Sequence, residues 1–88
     1  MVDSGAAEAL QNGGSLLPVG VTQVSGEFER GDVVCVNSLD GHEIARGLVN
    51  YNAADIQRIS RRQSSEIETI LGFAYGDEVI HRNNMVLL

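Results

Sequence analysis

Three arginines lie close together in the second half of the chain, at positions 58, 61 and 62. Their i, i+3 and i+4 spacing would place Arg58, Arg61 and Arg62 on one helix face, provided that the preceding helix continues through them. One interpretation is an anion-binding patch for an RNA backbone or another partner. The other is a set of cations at a helix C-terminus, favoured by the helix dipole and neighboured by Glu66 and Glu68.

The remaining residues that could do chemistry form no recognisable site. Residues 12–15 (NGGS) lack the preceding strand and the following lysine of a phosphate-binding loop, so they predict a helix end. The two histidines, His42 and His81, are far apart in sequence and predict no metal site. The single cysteine, Cys35, lies in an apolar run and is expected to be buried. We therefore expect no catalytic residue, cofactor or metal in these 88 residues.

Charge and hydropathy narrow the classes of partner. The formal net charge is −6, and all six basic residues are arginines. RNA-binding domains usually carry a basic field, so this balance disfavours RNA binding without excluding a local patch. No apolar run approaches the ~20 residues that cross a bilayer. The acidic N-terminus lacks the apolar core of a signal peptide, so we expect a cytoplasmic protein or a piece of one.

Helix signals appear in three places. Residues 3–13 predict a short helix capped by Asp3 or Ser4 and ended by Gly13. A second helix is expected to begin after Asn52. A third covers residues 64–72, where Ser65 and Glu68 have capping-box spacing and Gly72 ends the helix.

Strand signals occupy most of the remaining chain. Pro18 and Gly20 interrupt one apolar stretch, which suggests a bend where the missing proline N–H needs no partner and Gly20 allows close packing. Leu16, Leu17, Val19 and Val21 would supply apolar contacts around that bend. The run at 32–37 is expected to be covered on both sides. The predicted extended segments are 16–26, 32–37, 42–51, 78–81 and 85–88. Their order predicts a small barrel, mainly β, with helices covering its ends.

Four segments together resemble a known family: SLLPVGV at 15–21, ERGDVV at 29–34, IARGLVNY at 44–51 and EVIHR at 78–82. In this order and spacing they resemble the C-terminal PUA domain of bacterial glutamate 5-kinases. The resemblance implies a mixed α/β, mainly β pseudo-barrel of about six strands with short flanking helices. It also implies a division into a connector at 1–13 and the PUA domain at 14–88.

The resemblance implies a non-catalytic role. In that family, ATP, Mg²⁺ and glutamate bind to a preceding amino-acid-kinase domain, which phosphorylates glutamate in the first step of proline synthesis and is inhibited by proline. The PUA domain would modulate regulation or assembly through contacts with its own kinase domain and neighbouring subunits.

RNA binding is the alternative, because PUA domains elsewhere bind RNA. Their surface involves the loop after the first helix and the last strands, which here correspond to residues 13–18 and the region of Met85. Gly14, Leu16 and Pro18 are therefore candidate surface residues beside the three arginines. No arginine or lysine lies between Met1 and Glu29, which weakens this alternative.

Overall fold

The computed structural model describes all 88 residues, as three short α-helices and one three-stranded antiparallel sheet. In chain order the elements are α1 (Ser4–Gln11), β1 (Val33–Asn37), β2 (Glu43–Leu48), α2 (Ala53–Ile59), α3 (Ile67–Leu71) and β3 (Met85–Leu87). Single 3₁₀ turns occupy Pro18–Gly20, Ser64–Glu66 and Arg82–Asn84. None of the helices has the length and apolar character needed to span a membrane.

The sheet has β2 at its centre, with β1 and β3 on either side. β1 and β2 form a hairpin whose register is regular from Val33 opposite Leu48 up to Val36 opposite Ala45. The next pair joins Asn37 to Glu43, so one residue of β2 is left over as a β-bulge. Side chains on the two sides of this bulge therefore no longer follow simple alternation.

The mixed α/β class with short helices is confirmed, and three of the expected strands are regular. Two single bridges, Val2–Val21 and Leu16–Ile80, join further extended segments. They connect the N-terminal residues and the segment before β3 to the stretch around Pro18. The pseudo-barrel is thus partly closed by isolated pairs of residues, because several of its segments are too short for a continuous ladder.

A single apolar core lies between the inner face of the sheet and the helices. Tyr51 is the largest fully buried side chain, and its hydroxyl donates a 2.7 Å hydrogen bond to the Gly76 carbonyl. The same oxygen accepts one from the backbone N–H of Tyr75. The buried hydroxyl is thus hydrogen-bonded, and its burial does not carry the energetic cost of an unpaired polar group. The core consists of Val2, Leu10, Leu16, Val21, Val36, Ala45, Val49, Tyr51, Ile56, Ile59, Ile67, Val79 and Ile80.

Two of the three predicted helix N-caps are confirmed. The Asp3 carboxylate accepts from the Ala6 N–H at 2.8 Å, and the Asn52 side chain accepts from the Asp55 N–H at 2.8 Å. Each satisfies a backbone donor that the first helical turn leaves free. Gly72 ends α3 in the left-handed conformation with φ of 86°, as predicted.

The third capping prediction, Ser65 with Glu68, is wrong. The reciprocal capping box instead joins Gln63 and Glu66, whose carboxylate accepts from the Gln63 N–H at 3.0 Å. A 3₁₀ turn precedes α3, so the helical segment begins at Ser64 as predicted, but its cap lies two residues before Ser65. Ser65 lies inside that turn and is not its cap.

The expectation that residues 32–37 are covered on both sides, with Cys35 buried, is also wrong. Val34 and Val36 face the core, whereas Val33 and Cys35 are exposed. Within this chain nothing packs on the second face of the sheet. The sequence of an apolar strand does not show whether one face is exposed to solvent or both faces are buried.

The bend at Pro18 has the predicted cause. Pro18 occupies the first position of a 3₁₀ turn, where its missing N–H needs no partner. A Cβ on Gly20 would lie 2.5 Å from the Ala6 Cβ, so only glycine fits against α1. The expected packing of Leu17 and Val19 is wrong, because the turn directs both side chains into solvent.

Candidate functional site

The arginines do not form one helix face. Helix α2 ends at Ile59, Ser60 is extended, and Arg61 takes a left-handed conformation with φ of 65°. The condition for a shared face, a helix that continues through Arg58, Arg61 and Arg62, is therefore not met. The change of direction after Ile59 separates Arg58 from the two arginines that follow it.

Arg61 links two parts of the chain that are far apart in sequence. Its guanidinium lies 2.6 Å from the Asp3 carboxylate, and its backbone N–H donates to the Pro18 carbonyl at 2.9 Å. The ion pair holds the pKa of Asp3 below its usual value, with help from the Ala6 N–H. Arg61 thus connects the end of α2 to the beginning of α1 and to the Pro18 turn.

The other two arginines also have partners inside the chain. Arg58 donates to the carbonyl of Ile70 in α3, and Arg62 lies 2.8 Å from the Glu66 carboxylate. This pair lowers the pKa of Glu66. The helix-terminus interpretation of the cluster therefore fits the geometry better than a shared anion patch. A role of these arginines in RNA binding stays a prediction.

The second set of candidates, Gly14, Leu16 and Pro18, divides into surface and core. Leu16 and Pro18 are buried, so their assignment to a binding surface is wrong. Leu16 exchanges backbone hydrogen bonds with the segment at Ile80, which turns its side chain inward. Gly14 is half-buried, and its N–H donates to the Ala9 carbonyl at 2.9 Å.

The structure brings the Pro18 turn and Arg61 together around a surface cavity of about 310 Å³. Leu17 and Val19 form part of its wall, and Ser15, Arg61 and Asp3 supply its polar groups. Because Arg61 and Asp3 neutralise each other, this cavity offers an apolar wall without a free charge.

A second cavity of about 220 Å³ lies where the loop after α1 meets the last strand. Gly13 and Gly14 line one side, and Arg82, Asn83 and Met85 line another. The Arg82 N–H donates to the Ser15 hydroxyl at 2.8 Å, which fixes the two segments against each other. Gly14 and Met85, far apart in sequence, therefore share one surface.

Arg82 is the functional candidate that the sequence interpretation missed. It is exposed, and its guanidinium makes no hydrogen bond, ion pair or cation–π contact. The sequence feature that could have identified Arg82 is its position in the segment EVIHR, three residues before Met85. This cavity can bind an anionic group through Arg82 and an apolar group through Met85.

Neither histidine belongs to a metal-binding group. His42 pairs with Asp40 at 3.0 Å beside the hairpin turn, and the His81 Nδ1 accepts from the Asn83 N–H at 3.0 Å. No group of three or more His, Cys, Asp or Glu side chains is placed to hold a metal ion. For binding, the cavity at Met85 offers the Arg82 guanidinium, and the cavity at the Pro18 turn offers an apolar wall.

Comparisons with known proteins agree on the type of domain. The PUA domain family matches residues 1–71. The glutamate 5-kinase of Nitrosospira multiformis is 62% identical over 88 residues, and that of Methylobacillus flagellatus 60% over 90. The match takes in 99% and 100% of this chain but only 24% of each relative, in its C-terminal region. The chain therefore spans about a quarter of the length of these curated relatives.

Two solved structures have the same fold. A PUA domain from Aeropyrum pernix, crystallised as a tartrate complex, superimposes with a TM-score of 0.66 at 28% identity, over 91% of this chain and 39% of that one. A PUA domain protein from Thermoplasma acidophilum gives 0.63 at 25% identity, over 91% and 45%. Sequence and structure together show that this chain belongs to the PUA domain family.

Proposed function

We propose that the chain acts as the non-catalytic C-terminal PUA module of a glutamate 5-kinase. The observation that carries this proposal is the 62% identity that extends along 99% of the chain to one region of such an enzyme. A match of this extent supports membership of the same kind of larger protein. The phosphorylation of glutamate, and the ATP and Mg²⁺ that it requires, would then belong to the preceding kinase region.

The module would regulate or assemble the kinase, in the cytoplasm, through contacts with its own kinase region and neighbouring subunits. Residues 1–13 would connect the two parts of the enzyme. Val2 and Leu10 are fully buried in the PUA core, which supports a connector anchored in the module. Movement of the module could thereby be transmitted to the preceding region.

Kinetics of the whole enzyme, with and without the 88 residues, test this proposal. We expect the truncated enzyme to keep glutamate phosphorylation, since the module supplies no catalytic group. Inhibition by proline, Mg²⁺ dependence or subunit assembly should change. If all three stay unchanged, the regulatory role is wrong. If a truncated enzyme with native secondary structure loses all turnover, the module is not merely accessory.

RNA binding is a second candidate function, and the free guanidinium of Arg82 beside Gly14 and Met85 favours it. The net charge of −6 opposes it, because phosphate neutralisation supplies much of the affinity for RNA. Binding of a short RNA in low-salt buffer tests this candidate. Arg82→Ala should weaken binding strongly, whereas Arg62→Ala, which removes a paired arginine, should weaken it less. Absence of binding at low salt would exclude the candidate.

A further inference from the structure

One face of the sheet remains bare and apolar. We call it the outer sheet face, formed by Val33 and Cys35 of β1, Arg46 and Leu48 of β2, and Val86 and Leu88 in and after β3. The register places Val33 opposite Leu48, and Cys35, Arg46 and Val86 in one row across the three strands. Val33, Val86 and Leu88 are 67%, 65% and 66% exposed, more than any other large apolar side chain in the chain.

The only ionic groups on this face neutralise each other. The Arg46 guanidinium makes two hydrogen bonds to Glu43, at 2.7 and 3.0 Å. The pair lowers the pKa of Glu43 to about 2, so the carboxylate stays charged and paired at neutral pH. The face is therefore apolar and electrically neutral within a chain that carries six net negative charges.

An exposed apolar surface that extends over several strands marks a contact with another protein surface. Isolated exposed apolar side chains are common, but here Val86 and Leu88 lie two positions apart on one outer strand, and Val33 lies opposite Leu48 on the far side of the paired Arg46. Polar residues on the outward positions would be the ordinary choice for a sheet whose second face stays in water. The composition of this face thus indicates a partner that covers it.

The position of Met1 gives the side from which the proposed kinase region would enter the module. The Val2 N–H donates to the carbonyl of Asn37, the last residue of β1, at 2.8 Å, so the N-terminus lies beside the end of β1. Cys35 of the outer sheet face lies two residues from that end. In the glutamate 5-kinase relatives, about three quarters of the protein lies outside the matched region, and it would enter the module here.

A second copy of the module is a poorer occupant. Two chains that each carry a net charge of −6 repel each other, and this face offers no unpaired cation to offset that repulsion. The preceding region of the same chain is already tethered at the edge of the face, which gives it a high effective concentration. We propose that the kinase region of the same chain docks on the outer sheet face. This inference rests on the proposed function.

Cys35 provides the test, because it lies within the outer sheet face and is the only cysteine of the module. In the native full-length enzyme, a pulse of iodoacetamide followed by peptide mass spectrometry measures its alkylation. The matched control is Thr69→Cys on the exposed side of α3, in a Cys35→Ala background. Each rate is divided by the rate of the same cysteine in denaturant. We expect Cys35 to react at least about tenfold more slowly than the control.

The neighbouring Glu43 carboxylate raises the pKa of the Cys35 thiol, which by itself slows alkylation. The Glu43→Gln variant removes this effect, and protection should persist in it. Val86→Asp should instead expose Cys35 by disrupting the docked surface. Equal normalised rates for Cys35 and the control would overturn the proposal, as would protection that disappears in Glu43→Gln.

Cross-linking from Cys35 identifies the occupant. A short thiol-to-amine cross-linker should join Cys35 to a peptide of the kinase region, in a product with the mass of one chain. A product that joins two modules, or that has the mass of two chains, would contradict the proposal. Protection of Cys35 together with unchanged kinetics after truncation would retain the docking surface and reject the regulatory role, so the two proposals fail separately.

Discussion

The two faces of the sheet have similar apolar composition but different surroundings. On the inner face, Val36 and Ala45 pair with each other and are buried among the helices. On the outer face, Val33 and Leu48 also pair with each other and are exposed. Hydrophobicity along β1 is therefore similar on both faces, but only the inner face is buried within these 88 residues.

Among the substitutions that test this difference between the two faces, added volume on the inner face at Gly47 should have the largest effect on stability. A Cβ there would lie 2.7 Å from both the Asn84 carbonyl oxygen and a methyl of Ile80. Gly47→Val should destabilise the 88-residue chain by about 3 kcal/mol or more, since a packed core resists added volume. Urea unfolding measures the loss. Gly5→Ala, where the new methyl meets nothing closer than 3.6 Å, should be neutral or slightly stabilising.

Two valine-to-alanine substitutions within β1, one on each face of the sheet, compare the two faces directly. Val36→Ala should lower the free energy of unfolding by about 2 kcal/mol, because it removes two buried methyl groups and leaves a cavity. Val33→Ala should lower it by less than about 1 kcal/mol, since that side chain lies in water. Equal losses in urea unfolding would show that the outer face of the isolated chain is already covered, for example by self-association.

Removing a polar contact should also lower the stability more beside the core than on the outer sheet face. Asp3→Ala removes the α1 cap and the partner of Arg61, so it should cost about 1 kcal/mol. Glu43→Gln on the outer sheet face should cost clearly less, because exposed ion pairs contribute little. Thermal unfolding of both variants at equal ionic strength provides the measurement. A larger effect for Glu43→Gln would contradict this ranking.

The smallest expected effect is the pH dependence of the outer ion pair. Glu43 has a pKa of about 2 in the folded chain against an ordinary 4.5, so pairing stabilises the folded state above pH 4.5. That contribution disappears as the pH falls toward 2. The stability of the wild-type chain should decrease over this range slightly more than that of Glu43→Gln. Identical pH profiles would show that the pair contributes nothing measurable.

Local signals predicted local features well. Caps at Asp3 and Asn52, and the helix end at Gly72, follow from side-chain oxygens and backbone freedom within a few residues. The close approach at Gly20 was also foreseen, because glycine beside proline in an apolar run needs a packing reason.

Features that depend on distant parts of the chain were not predictable in the same way. Whether Cys35 is buried depends on what packs on the second face of the sheet. The path of the chain at Arg61 depends on a hydrogen bond to Pro18, more than forty positions earlier in the sequence. Arg82 became a candidate only when the fold placed it beside Gly14. Sequence spacing alone carries none of these contacts.

The β-bulge in β2 changes which face of the sheet each residue of this hairpin occupies, and protein engineers have to take it into account. Odd spacing in a regular strand puts two side chains on opposite faces, yet Glu43 and Arg46 meet on the same one. The extra residue between Ala45 and Glu43 in the register makes this possible. Deleting Ile44 would remove the bulge and leave Glu43 two positions from Arg46, the spacing that keeps two side chains on one face of a regular strand. A hairpin shortened at this one position would thus keep the Glu43–Arg46 pair, and with it the charge neutrality, on the outer sheet face.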